Sequence, residues 1–202
     1  MPQSHFDWKF EIPMWKKIYT LLLDLADQIR KADFNPDVIV SVARSGWPPA
    51  RIMSDLLENP ELANVKAKFY LGVAKTKSEP VITQPVSVPV RGKKVLIVDD
   101  VADTGKSLSL VRLHSKEQGA TKVKTATIYY KPWSVVTPNW YELETNHWII
   151  FPWERKETVR NVAKRFKGEG KTVEEARDTL VRYGLNARLV KRFLGEILEG
   201  QA

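Results

Sequence analysis

The sequence predicts an α/β protein in which helices flank a mostly parallel sheet, and three features indicate this class. Short β-branched runs alternate with longer amphipathic segments, which is the rhythm of β-α-β units. The run 95–98 contains no polar residue, as expected of a strand buried on both faces. Asp99 and Asp100 follow this run directly, where open α/β sheets bind their ligands. We therefore expect a ligand site at this edge of the sheet.

Hydrophobic spacing predicts the individual elements of this sheet. In chain order we predict a helix over 13–31, a strand over 37–42, a helix over 48–57, strands over 66–71 and 95–98, a helix over 108–118, and strands over 123–129 and 141–143. Pro13 falls in the first turn of the first helix, where proline is tolerated. Gly119 is a stop signal for the helix before it.

The segment 72–92 is long for a connection within a compact domain, and three prolines interrupt its apolar residues. Loops of this length are usually functional lids or disordered segments. A β-hairpin arm or a structural ribbon remains open for part of it.

Beyond residue 154 the pattern becomes helical. A helix is predicted over 154–166, and Thr172 with Glu175 forms a capping-box pattern before another helix. We therefore divide the chain into a first domain at 1–154 and a helical C-terminal extension at 155–202.

Composition limits the class of protein. The 202 residues include 32 Lys and Arg against 24 Asp and Glu, a net charge of +8, and no cysteine. The missing cysteines exclude disulfides and thiolate chemistry, and no apolar stretch is long enough to span a membrane. We expect a soluble, cytoplasmic protein without a membrane partner. The positive charge suits either a phosphorylated substrate or nucleic acid, but a solvated helix face is the favoured interpretation of the basic C-terminal residues, so we expect no nucleic-acid partner.

The segment after the two carboxylates is a candidate phosphate loop. It is rich in hydroxyl groups, contains Gly105 and leads into a helix N-terminus, which offers backbone N–H groups and a positive dipole end. A Walker A loop would need glycine where this chain has Asp100. Helix capping explains Asp103 and Thr104, but it does not explain why Asp99 stands beside Asp100.

The segment V-D-D-V-A-D-T-G-K-S at 98–107 resembles the phosphoribosyl-pyrophosphate signature of the type I phosphoribosyltransferases. The resemblance implies their fold, with a small base-binding hood within 1–154. It also implies that Asp99 and Asp100 hold the ribose hydroxyls of phosphoribosyl pyrophosphate, and that Asp100 holds its Mg²⁺ directly or through water. The 5′-phosphate would then be wrapped by Asp103, Thr104, Gly105, Lys106 and Ser107.

Physical chemistry agrees with these implied roles. Displacement of pyrophosphate from the anomeric carbon passes through an oxocarbenium-like state, which nearby carboxylates stabilise, while magnesium neutralises the departing anion. Mg²⁺ prefers oxygen ligands and keeps several waters, so two carboxylates and substrate oxygens suit it.

The turn at 41–46 carries a second resemblance, to the pyrophosphate loop of the same family. Small residues allow a close backbone approach to an anion, and the arginine fork binds two phosphate oxygens at once. The implied pyrophosphate-binding residues are Ala43, Arg44, Ser45 and Gly46, with a non-proline cis peptide between Ala43 and Arg44. Ser45 stands where family members often have a second glycine, and a solvated arginine at a turn is the alternative.

The acceptor is indicated by Y-K-P-W at 130–133 and H-W-I-I-F-P-W-E at 147–154. Both segments resemble base-recognition elements of the xanthine-guanine and related 6-oxopurine phosphoribosyltransferases. By this resemblance Lys131 donates to the purine oxygen at C6, Trp148 stacks on the ring, and the backbone of Trp148 and Ile149 bonds the purine edge. Asp103 would be the general base that takes the proton from N7 as N9 attacks. Trp133, Trp140 and Trp153 are interpreted as core or interface residues.

These features together predict a Mg²⁺-dependent transferase of purine salvage. It would move 5-phosphoribose to N9 of guanine, hypoxanthine or xanthine, and the family resemblance implies a homodimer or larger homo-oligomer. An alternative is a transcriptional regulator that uses the fold as a ligand sensor and binds DNA through its basic tail. An adenine or orotate enzyme is disfavoured because the Lys131 ammonium would face the adenine amino group donor to donor.

Overall fold

The computed structural model describes residues 9–59, 61–70 and 79–199. These residues form two compact units, one spanning Lys16–Asn146 and the other containing the described residues 9–15 and 147–199. The elements are β1 (Phe10–Glu11), α1 (Trp15–Lys31), β2 (Val38–Ala43), α2 (Trp47–Leu56), β3 (Leu62–Tyr70), β4 (Glu79–Gln84), β5 (Lys94–Ala102), α3 (Lys106–Glu117), β6 (Lys122–Tyr130), β7 (Trp140–Glu144), β8 (Trp148–Ile149), α4 (Arg155–Gly168), α5 (Val173–Arg182) and α6 (Ala187–Glu199).

The unit at Lys16–Asn146 is built on a six-stranded sheet with the order β4-β3-β2-β5-β6-β7. Every neighbouring pair is parallel except β3 and β4. The predicted α/β class with a mostly parallel sheet is therefore confirmed. In such a sheet the carboxyl ends of the central strands meet at one edge, so the segments that follow β2, β5 and β6 lie close together.

Burial explains why the central strands are so apolar. The whole run 95–98 of β5 is inaccessible to solvent, because β2 and β6 flank it and helices cover the sheet. One core cluster joins these strands to Leu108 and Val111 of α3. The helix α1 lies beside α2 and β7, since Arg30 Nη1 donates to Leu56 O at 2.7 Å and Gln28 Nε2 to Glu142 Oε1 at 2.7 Å.

The predicted long loop at 72–92 contains a strand. β4 pairs with β3 in antiparallel register from Lys66 opposite Gln84 to Tyr70 opposite Glu79, so the hairpin interpretation is correct for 79–84. The apolar residues between the prolines of this segment show neither helical nor alternating spacing. Only the pairing with the edge of β3 shows that they extend the sheet. Residues 71–78 lie outside the described part of the chain.

The second unit contains β1, β8 and the three C-terminal helices. β1 and β8 pair in parallel, and α4, α5 and α6 bury a common cluster that includes Phe166, Leu180 and Leu194. Thr172 and Glu175 make the predicted capping box, with both reciprocal hydrogen bonds present. The predicted domain boundary between residues 154 and 155 stays a prediction.

Among the described residues, no helix is both long and apolar enough to cross a membrane.

Candidate active site

Two adjacent carboxylates lie near the carboxyl end of β5. The predicted strand ended at residue 98, whereas β5 continues to Ala102 and includes both acids. The Asp100 N–H donates to Asp99 Oδ1 at 2.9 Å, and the Val101 N–H donates to Asp100 Oδ1 at 2.8 Å. Asp100 is buried and Asp99 partly buried. These bonds supply donors for two carboxylate oxygens that burial would otherwise leave poorly solvated.

The loop between β5 and α3 has the geometry of an anion-binding turn. Gly105 is the N-cap residue of α3 and has a φ of +74°, in the left-handed region. No side-chain hydrogen bond caps this helix N-terminus. Thr104 Oγ1 is 3.5 Å from the Lys106 N–H, at the limit of a hydrogen bond. Side-chain capping therefore does not account for this loop. Its backbone N–H groups and the positive end of the α3 dipole suit a phosphate.

Backbone hydrogen bonds join the segment after β6 to the phosphate loop between β5 and α3. The Lys131 N–H donates to Ala102 O at 3.1 Å, and the Val135 N–H donates to Thr104 O at 3.0 Å. A Cβ added at Gly105 would collide with the Ser134 hydroxyl and lie 2.9 Å from the Val136 nitrogen. Glycine is thus required for both the backbone conformation and the close approach.

With this docking, Trp133 contacts both Lys131 and Asp103. Lys131 is only 5% exposed although lysine is normally solvated, and its Nζ lies 5.3 Å from the centroid of the Trp133 ring. Trp133 Nε1 donates to Asp103 Oδ1 at 3.1 Å. Trp133 is 53% exposed, so it is not a core residue, and its interpretation as an interface residue stays a prediction. Its place two residues after Lys131 was the sequence signal for a site residue.

The loop after β2 lies at the same edge of the sheet. β2 is hydrogen-bonded to β5, with Ser41 opposite Val98, and the peptide between Ala43 and Arg44 is cis, as the resemblance implied. Arg44 is exposed, Ser45 is partly buried and Gly46 is buried. The three predicted groups at 43–46, 99–100 and 103–107 therefore meet at the ends of adjacent strands.

One ion pair links the hairpin to the phosphate loop. Lys106 Nζ lies 2.6 Å from Glu79 Oε1, with the two side chains 30% and 54% exposed. Sequence reasoning missed Glu79, because nothing in the local pattern distinguishes it from any other loop carboxylate.

The two remaining predicted residues, Trp148 and Ile149, belong to the other compact unit. The Trp148 N–H donates to Lys9 O at 2.8 Å. Trp148 is 52% exposed, whereas Ile149 is 6% exposed. An exposed indole is suited to stacking, and a buried Ile149 side chain leaves only its backbone for a ligand. The purine-binding roles of both residues remain predictions.

Trp140 and Trp153 pack against other rings. The Trp140 ring lies 5.5 Å from Phe34, and Trp153 stacks on Phe151 with the centroids 4.8 Å apart. The structure thus agrees with their interpretation as packing residues.

Comparison with known sequences gives a consistent result. The Phosphoribosyl transferase domain family matches residues 11–158. The chain is 30% identical over 118 residues to the xanthine-guanine phosphoribosyltransferase of Gluconobacter oxydans, covering 57% of this chain and 67% of that protein. It is 28% identical over 111 residues to the hypoxanthine-guanine phosphoribosyltransferase of Streptococcus pyogenes, covering 54% of this chain and 61% of that protein.

Comparison with solved structures agrees. A crystal structure of purine phosphoribosyltransferase from Pyrococcus horikoshii superimposes with a TM-score of 0.65 at 39% sequence identity, covering 72% of this chain and 93% of that chain. The shared fold therefore extends over nearly the whole of that protein.

Proposed function

We propose that this chain, which belongs to the phosphoribosyltransferase family, transfers 5-phosphoribose from phosphoribosyl pyrophosphate to N9 of a 6-oxopurine. The products are pyrophosphate and a nucleoside monophosphate, as in purine salvage. The predicted family and fold are confirmed, and the names of the compared relatives support the predicted activity.

One observation carries the proposal for the sugar donor. The paired carboxylates and the phosphate loop follow one another at the carboxyl end of β5, beside the loop after β2. A ribose with a phosphate at each end needs such an order, with acids for its hydroxyls between two anion-binding turns. In this arrangement residues 103–107 hold the 5′-phosphate, Asp99 and Asp100 the ribose, and residues 43–46 the pyrophosphate.

Charge explains how these residues promote the reaction. Positive charge develops on the ribose as its bond to pyrophosphate breaks, and the fixed carboxylates favour that charge. Asp103 is exposed at the start of the phosphate loop, and it takes the proton from N7 of the purine as N9 attacks the ribose. The loop therefore both binds the phosphate and supplies the general base.

The same acids suit Mg²⁺. Among the described residues, no cluster of three or more His, Cys, Asp or Glu could hold a metal ion. A magnesium ion that takes one or two carboxylates from the protein and further oxygens from substrate and water fits this donor set. Asp100, with Asp99 beside it, would hold the ion, which neutralises charge on the departing pyrophosphate when bound.

Lys131 supports the choice of a 6-oxopurine. Its ammonium carries only donors, so it pairs with the carbonyl oxygen at C6 and disfavours the amino group of adenine. Burial strengthens this discrimination, because an unpaired donor in a low-dielectric site costs more than one in water.

None of the three proteins compared above is named as a regulator, and nothing observed favours the DNA-binding alternative. Assembly as a homodimer or larger homo-oligomer and a cytoplasmic location remain proposals that rest on the resemblance.

The direct test is product formation from each base. With Mg²⁺ and phosphoribosyl pyrophosphate present, we expect nucleoside monophosphate from at least one of guanine, hypoxanthine and xanthine, and at least about tenfold lower kcat/KM with adenine, the loss expected when a buried polar group is left unpaired. Chromatographic separation of the products measures both. Removal of Mg²⁺ with a chelator should abolish turnover. Absence of turnover with all three 6-oxopurines would reject the function.

The Glu79 to Lys106 ion pair leads to a second prediction. An incoming 5′-phosphate competes with the Glu79 carboxylate for Lys106 and is also repelled by it. Glu79→Gln should therefore lower the KM for phosphoribosyl pyrophosphate about two- to fivefold, the range of an exposed ion pair, with little change in kcat. Steady-state kinetics at fixed ionic strength measures this effect.

Glu117→Gln is the matched control. It removes the same charge at the opposite end of α3 and should leave KM unchanged. An unchanged or higher KM in Glu79→Gln would contradict competition at Lys106.

A further inference from the structure

Trp133 has no role in the steps of the proposed reaction, although it contacts two of the groups that carry them out. Its indole contacts both the group that would accept the purine proton and the group that would recognise the purine. At the ring edge, Nε1 donates to Asp103 Oδ1 at 3.1 Å. Over the ring face, Lys131 Nζ lies 5.3 Å from the centroid.

We propose that Trp133 is a positioning residue of phosphoribosyl transfer, which holds the Asp103 carboxylate for proton abstraction and keeps the Lys131 ammonium in register with it. This inference rests on the proposed function. It adds a specific role for a side chain that neither the loop sequence nor the purine-recognition motif assigns.

The hydrogen bond to Asp103 has a direction that suits this role. An indole N–H is a donor only, so it binds the carboxylate through one oxygen and cannot accept the proton itself. Among the described residues, it is the one side chain shown bonding to the Asp103 carboxylate. The oxygen Oδ1 is thereby anchored, and Oδ2 is left to receive the proton from N7 of the base.

The ring acts on Lys131 by a different force. The face of an indole attracts an ammonium group through its quadrupole. Lys131 is 5% exposed while Trp133 is 53% exposed, so the ring stands toward solvent and the ammonium lies beneath it. The ring thus limits where the ammonium can move, which keeps the C6 donor at a constant distance from the Asp103 base.

The surrounding backbone makes this arrangement rigid. The Ser134 N–H donates to Lys131 O at 2.9 Å, and the Val135 N–H donates to Thr104 O at 3.0 Å. Trp133 lies inside the turn that the bond from Ser134 to Lys131 closes, so its Cα has little freedom. Small shifts of a positioned base reduce rates strongly, and the docked turn is a structural means of preventing them.

Two variants separate the two contacts. Trp133→Phe keeps an aromatic ring for Lys131 but removes the N–H donor, so kcat should fall about tenfold while the KM for the 6-oxopurine stays near that of the wild type. Trp133→Leu removes the ring as well, so it should additionally raise the purine KM severalfold. Trp140→Phe is the matched control, since Trp140 packs on Phe34 at the start of β7 and lies in neither loop.

A double-mutant comparison tests whether Trp133 acts through Asp103. In an Asp103→Asn background the base is already lost, so Trp133→Phe should change the residual kcat by less than about twofold. An equal fractional loss in both backgrounds, or an unchanged kcat in Trp133→Phe alone, would overturn the inference.

A spectroscopic measurement keeps this inference separate from the proposed function. In protein labelled with ¹⁵N at tryptophan, the Trp133 indole resonance, assigned by its absence in Trp133→Phe, should shift in Asp103→Asn and stay in place in the control Asp55→Asn. If the wild type turns over no 6-oxopurine, the proposed function fails whatever this shift is. If turnover is present and the Trp133 resonance does not shift in Asp103→Asn, the positioning role alone fails.

Discussion

Replacement of Asp103 by asparagine is expected to lower kcat about 10²- to 10⁴-fold, the usual contribution of a positioned general base. Asparagine has nearly the same shape and retains an oxygen that can accept the Trp133 N–H, but it cannot take a proton from N7. Binding of phosphoribosyl pyrophosphate should persist, because the backbone of the phosphate loop is unchanged. Rapid-quench measurement of a single turnover, with calorimetry for donor binding, checks both parts.

The control for this variant is Asp55→Asn, which removes one carboxylate from the exposed side of α2 and should leave kcat unchanged. An Asp103→Asn enzyme that turns over at the wild-type rate would remove Asp103 as the base. Loss of donor binding together with kcat would show instead that the carboxylate acts mainly in the binding of the sugar phosphate.

Gly46→Ala is expected to cause the largest loss of stability among conservative changes near the site. An added Cβ would lie 2.6 Å from Val42 O, 2.7 Å from Val98 O and 2.9 Å from Val42 N. All three are backbone atoms of the two central strands, so no side chain can rotate away to relieve the overlap. We expect the free energy of unfolding to fall by about 1–3 kcal/mol or more, the cost of overpacking a rigid core. Urea denaturation followed by circular dichroism measures it.

Gly195→Ala is the matched control, because it makes the same change within α6, where no other atom lies within 4 Å of the added Cβ. In a helix interior this change should stabilise by up to about 1 kcal/mol. Gly46→Ala should also weaken pyrophosphate binding, since the loop after β2 must move to admit the methyl group. Equal stability of the two variants would contradict the close packing of this loop on β2 and β5.

The central strands and helices were predictable because their patterns are local and strong. The run 95–98 is apolar throughout, so its burial followed from composition alone. Thr172 and Glu175 stand three residues apart, and their capping box formed as expected. Candidate site residues could be proposed for the same reason, since the two acids and the loop after them lie within ten consecutive residues, and their roles stay predictions.

The hairpin and the exact end of β5 were harder to predict from the sequence. β4 exists because β3 offers an edge for pairing, and β5 extends through two acids because β6 supplies hydrogen-bond partners on one side, with Asp99 opposite Thr127. Local propensity disfavours aspartate in strands, but pairing with neighbours outweighs that preference.

The amino-acid sequence alone indicated which residues to propose for the chemistry, because the two acids and the loop after them form a continuous motif. Tertiary structure alone decided that Lys131 is buried, that Trp133 bonds to Asp103 and that Glu79 pairs with Lys106. The last two contacts join residues 30 and 27 positions apart. Such pairs form because strand order brings separate loops to one edge of the sheet, and no local pattern encodes which side chains then meet.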